Sequence, residues 1–208
     1  MLMSMELFGA YVVATLVLLA IPGPTILLVI SYALSHGKKS AAACVLGVGL
    51  GDATAATASL LGLGAILATS AFLFTLLKWV GAAYLFWIGL KMWRSRSDGL
   101  TAGVVEEAPA RKIFLHAYVV TALNPKGIIF FMAFLPHFIS QQAPVAPQLL
   151  LLGSTFVVLG ILNAAVYAYA ASAIGERLRS PSLMKAINRI GGGFLMSAAA
   201  MTASLQRG

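Results

Sequence analysis

The sequence predicts an all-α integral membrane protein of six transmembrane helices, arranged as two inverted three-helix repeats with broken first and fourth helices. Three observations lead there. Of the 208 residues, 60% are hydrophobic and 10% charged, with a mean hydropathy of +0.93, whereas soluble domains carry about 25% charged residues. Six apolar runs are long enough to cross a bilayer: 7–33, 41–69, 72–92, 113–134, 148–174 and 187–205. Two of those runs, the first and the fourth, carry proline near their membrane midpoint, where a lost N–H cannot be replaced by water.

The first run begins without a basic n-region, so it reads as a span and not as a cleaved signal peptide. Within it, Pro22-Gly23-Pro24 lies about 14 residues before Lys38, and a helix cannot run through it undisturbed. Pro24 suits the first position of a new half-helix, with Gly23 at its cap. Span two places Gly47, Gly49 and Gly51 for close helix packing, followed by Asp52, about 13 residues past Lys39 and about 17 before Ser70. A lone carboxylate at that depth costs roughly 2.5–3.5 kcal/mol on insertion scales. Three states relieve the cost: protonation, pairing with Lys126, or binding a substrate cation. A static Asp52–Lys126 pair that holds the halves together is the plainer alternative.

Span three is followed by the one clearly polar linker, 94–112, whose Glu106-Glu107 pair reads as solvated loop. Span four centres on Asn124-Pro125-Lys126, about 10 residues from either polar boundary and so near mid-bilayer. Asn124 is a good N-cap and Pro125 a good first helical residue. Both half-helices would then start near the midplane, and their partly positive N-termini would suit a carboxylate. Lys126 opposes that dipole and needs an anion, either Asp52 or a ligand. In span five, Asn163 reads as a polar helix contact and a candidate ligand group. His116 and His137 sit near span ends as satisfied interfacial residues, and His36 is in a loop.

An internal repeat runs through these landmarks. Lys78 to Leu85 aligns with Asn188 to Leu195, Gly49 and Asp52-Ala53 with Gly160 and Asn163-Ala164, and Pro22 with Pro125. Three spans per half is an odd number, so the halves insert in opposite directions. The chain is thus one membrane domain over residues 1–208, with a first repeat at about 5–93, the linker at about 94–112 and a second repeat at about 113–206. Eleven of the 14 Lys and Arg residues fall on one side, in the loop after span one, the central linker and the loop before span six. Positive-inside places that side in the cytoplasm and both termini outside. Lys78 can snorkel to the outer interface.

Several classes of function are disfavoured by the same reading. The net charge of +8 is spread between apolar runs, not interleaved with aromatics on a soluble domain, which argues against nucleic acid. One cysteine, Cys44, permits neither an internal disulfide nor a dithiol relay. No His and carboxylate cluster has metal-ligand spacing, no phosphate cradle or nucleophile elbow is visible, and neither metal nor cofactor is expected. Non-transporting membrane subunit and small channel remain as rival readings.

Taken together, PGPT at Pro22 to Thr25, Gly47-x-Gly49-x-Gly51-Asp52, the run Trp79 to Trp93 and Asn124-Pro125-Lys126 resemble the bacterial LysE/RhtB family of amino-acid exporters over nearly the whole chain. The resemblance implies an exporter of amino acids or small derivatives in the bacterial cytoplasmic membrane, driven by the electrochemical gradient through proton antiport. It makes Pro22, Gly23, Pro24, Asp52, Asn124, Pro125, Lys126 and Asn163 the candidate substrate site, with Asp52 as the proton-coupling group. The expected partners are a small-molecule amino acid and membrane lipid, with a homodimer allowed; a single acid in the site favours neutral amino acids.

Overall fold

The computed structural model describes residues 3–69, 108–140 and 143–178, together with scattered positions within 72–94 and 180–200. No strand occurs among them. Helix α1 (Met5–Ala20) starts at Ser4, whose Oγ accepts the Leu7 N–H at 3.2 Å, with Glu6 in the first turn. It stops where Pro22 forces the residue before it out of the helical region: Ile21 is extended, at φ −77° and ψ 113°. Helix α2 (Pro24–Thr69) then begins at the second proline, the Gly23 carbonyl accepting the Leu27 N–H at 2.9 Å. The axes of Met5–Ala20 and Pro24–Leu34 meet at 56°, so the expected break in the first helix is present.

The two arms of α2, Pro24–Leu34 and Ala41–Ala65, lie side by side. Thr25 and Asp52 line one cavity although 27 positions separate them, a distance of about 40 Å along a straight helix. Thr121 of α3 (Ala110–Ala122) confirms the arrangement, since it hydrogen-bonds Thr25 and abuts Gly51. After α3, the chain breaks at Leu123-Asn124 and resumes as the short α4 (Pro125–Ile129), a π-helical turn over Phe130–Phe134 and a 3-10 turn over Leu135–Phe138. Asn124 caps α4 as its sequence suggests, with its side-chain oxygen accepting the Lys126 N–H at 3.1 Å. Helix α5 (Val145–Leu178) follows. Its buried Gln148 accepts the Ser140 N–H and donates to the carbonyls of Ser140, Ala143 and Pro144, which ties down the preceding loop.

Among the described residues three helices are long and apolar enough to cross a membrane, Ala41–Ala65, Ala110–Met132 and Val145–Ala171, and the bent pair at the start makes a fourth. Expected spans three and six, Lys78 and Glu106-Glu107 lie wholly or largely outside the described residues.

Two apolar clusters form the core. One gathers the rings of Tyr11, Phe130, Phe131, Phe134, Phe138 and Phe156, with Phe131 and Phe156 centroids 4.6 Å apart. The other packs Ile26, Ile30 and Tyr32 against Cys44, Val48, Ala117 and Ala168. The interrupted helices lie where the two clusters meet, because neither cluster can continue through a segment whose backbone groups need polar partners.

Candidate functional site

The helix breaks leave polar backbone ends inside an apolar core, and side chains from four elements converge on them. The resulting cavity is lined by Leu19 and Phe156 of one core cluster, Ile26 and Val48 of the other, and between them Gly23, Thr25, Asp52, Asn124, Lys126, Gly127, Gly160 and Asn163. Five of the eight sequence-nominated residues therefore meet at one place: Gly23, Asp52, Asn124, Lys126 and Asn163. Pro22, Pro24 and Pro125 set the breaks without lining the cavity; Pro24 and Pro125 are turned outward. The space open to water centres is about 30 Å³, room for about two waters.

The N-termini of α2 and α4 are joined directly. Asn124 Nδ2 donates to Thr25 Oγ1 at 3.1 Å, and Thr121 Oγ1 donates to the same oxygen at 3.3 Å. The sequence reading had marked Thr25 only as part of PGPT. A hydroxyl that accepts two hydrogen bonds while beginning a helix is a structural tie between the two breaks.

Lys126 makes no direct hydrogen bond to Asp52, although the two charges lie near enough to act on each other. Its ammonium donates to the carbonyls of Leu18 at 3.0 Å and Ile21 at 2.8 Å, at the C-terminal end of α1. The expectation that this cation needs a nearby anion is met by a helix end, whose unpartnered carbonyls carry partial negative charge. Asn163 Nδ2 donates to Leu19 O at 3.1 Å, and one turn further along α5 Tyr167 donates its hydroxyl to Ala20 O at 2.6 Å. The polar contact foreseen for Asn163 is thus to backbone. Tyr167 was missed, and its spacing of four residues from Asn163 on one helix face was the signal available.

Asp52 lines the cavity without a hydrogen bond to Lys126. Its carboxylate rests against Gly160, where an added Cβ would collide with the carboxylate oxygen. The small residues of span two pack closely, as read. Gly47 and Gly51 face α3, where a Cβ on Gly51 would stand 2.7 Å from Thr121 Cβ and 2.8 Å from Tyr118 O; Gly49 faces Ile161 of α5. His116 and His137 lie away from the cavity lining, His116 Nδ1 at the Tyr32 hydroxyl at 2.9 Å and His137 Nδ1 at Phe134 O at 3.0 Å. Among the described residues no group of three or more His, Cys, Asp or Glu could hold a metal.

The family model for the LysE type translocator matches residues 16–205. An uncharacterized membrane protein of Vibrio cholerae is 32% identical over 202 residues, covering 97% of this chain and 98% of its own. The homoserine/homoserine lactone efflux protein of Salmonella typhi is 32% identical over 203 residues, with the same coverage of 97% and 98%. The leucine efflux protein of an Enterobacter species is 30% identical over 192 residues, 90% of this chain and 89% of that one. No solved structure matches the chain.

Proposed function

Since the chain belongs to the LysE type translocator family, we propose that it exports amino acids or small amino-acid derivatives across the bacterial cytoplasmic membrane in exchange for protons. The observation that carries this reading is the convergence of two helix breaks, Asp52, Lys126 and Asn163 on one cavity between apolar clusters. Polar groups at that depth are costly, and here they are gathered where a small zwitterion could replace them as partners. The relatives named for homoserine and leucine efflux support small neutral amino acids as the substrate class.

In the mechanism we favour, six spans form two inverted three-helix halves that rock about this cavity, with the basic loops in the cytoplasm and both termini outside. The substrate carboxylate meets the N-terminal amides of α2 and α4 and the Lys126 ammonium. Its ammonium competes with a proton for Asp52, so that one leaves as the other binds. Exchange of the two at opposite faces couples export to proton entry.

Asp52→Asn keeps the shape and removes the charge. It should abolish proton-coupled efflux in everted vesicles supplied with a panel of amino acids, while the protein reaches the membrane at the wild-type level. Efflux at the wild-type rate would reject the role given to Asp52. A helix-packing subunit, the rival reading, predicts instead that Asp52 and Lys126 can be replaced jointly by apolar residues without loss.

A further inference from the structure

A helix ends with four carbonyls that have no partner in the helix itself. At the end of α1 the last four are Leu18, Leu19, Ala20 and Ile21; Leu18 O takes the Ile21 N–H at 3.3 Å, and every one of the four accepts a hydrogen bond from a side chain of another element. Two of the four acceptors, Leu18 O and Ile21 O, hold the Lys126 ammonium at 3.0 and 2.8 Å. The occupant of this cup is chemically a primary alkylammonium, the same group that an amino acid presents at its α-carbon. The occupant Lys126 lines the cavity that holds Asp52, as do Leu19 and Gly23 beside it, and the missing Cβ of Gly23 lies 3.6 Å from the ammonium nitrogen.

We propose that the C-terminal cup of α1 is the substrate's ammonium site, and that Lys126 occupies it as a tethered stand-in while the protein is empty. The substrate class rests on the exporter reading above. An incoming primary ammonium takes over the carbonyls of Leu18 and Ile21, with the Asp52 carboxylate as counter-charge across the cavity. Lys126, released, turns to the substrate carboxylate. The exchange is of like for like, so the buried carbonyls are not left without a donor at either end of it. Asn163 and Tyr167 keep the other two carbonyls throughout and act as positioning residues that fix the helix end. Quaternary ammonium has no N–H and cannot make the exchange.

The test is binding of a bare ammonium to the full-length protein in detergent, read as a shift of thermal unfolding with propylammonium chloride and, as control, tetramethylammonium chloride. Lys126→Ala empties the cup. This variant should be stabilised by propylammonium at a half-saturating concentration at least tenfold below that of wild type, and tetramethylammonium should stabilise neither. Lys126→Met, which keeps most of the bulk but no donors, should show the same order and serves if the alanine variant does not fold. Equal half-saturation in variant and wild type, or an equal response to both cations, overturns the proposal. Failure of both variants to fold even with propylammonium present also overturns it, because Lys126 would then be a pin and not a stand-in. Efflux by wild type in proteoliposomes is measured separately: its absence alongside intact propylammonium rescue would sink the exporter reading and leave the ammonium cup standing.

Discussion

Gly160 is the residue that lets Asp52 point where it does. A methyl group there would overlap the carboxylate, and the carboxylate, held on a packed helix, would have to turn out of the cavity. Gly160→Ala should therefore leave the amount of protein in the membrane unchanged and lower efflux by on the order of a hundredfold, since about 1 Å of misplacement is enough for that at an oriented group. Efflux at half the wild-type rate or better would show that the carboxylate does not need this seat. Gly160 was visible in the sequence only as the repeat partner of Gly49, and the repeat said nothing of what it faces. Asp52, Asn124 and Lys126 were legible because charge or an amide is expensive in lipid. Thr25 and Tyr167 were not, because a hydroxyl in an apolar run is cheap and common. The true partner of Lys126 was hidden for a different reason: a backbone carbonyl has no residue type, so no motif announces it.

Among the elements, α2 and α3 approach so closely that Gly47 and Gly51 meet backbone atoms of α3: Tyr118 N lies 3.1 Å from a Cβ built on Gly47, and Tyr118 O lies 2.8 Å from one built on Gly51. Backbone cannot swing aside as a flexible side chain can. Gly47→Ala and Gly51→Ala should each destabilise the protein by about 1–3 kcal/mol through overpacking, against a gain of about 1 kcal/mol from helix propensity. Gly62→Ala on the same helix, with nothing within 4 Å of its missing Cβ, should show only the gain. Thermal unfolding in detergent decides it; equal shifts for Gly51 and Gly62 would mean that the helices can separate freely. The breaks that shape α1, α2 and α4 were readable because proline acts locally, through a missing N–H and a constrained predecessor. The π-helical turn over Phe130–Phe134 was not. It arises from how a set of aromatic rings packs against Tyr11 and Phe156, a tertiary fact with no periodicity to betray it.

At the scale of the whole molecule the open question is which way the chain faces. The span Ala110–Met132 has exposed Arg111 and Lys112 at its start, while the segment from Ile139 to Val145 beyond it carries no Lys or Arg. By the positive-inside rule that asymmetry predicts a cytoplasmic start. Single-cysteine labelling tests it, in a Cys44→Ala background that removes the only thiol. Ala146→Cys, at the exposed start of α5, should react with a membrane-impermeant thiol reagent in intact spheroplasts. Lys112→Cys should react only after permeabilisation. The opposite pattern would invert the orientation, and with it the face from which substrate enters. Labelling of both from the same side would mean that the chain between them turns back within the bilayer. The break at Pro125 would then belong to a re-entrant segment, and a second half of three spans could not be built from this chain, since it needs one whole crossing between residues 112 and 146.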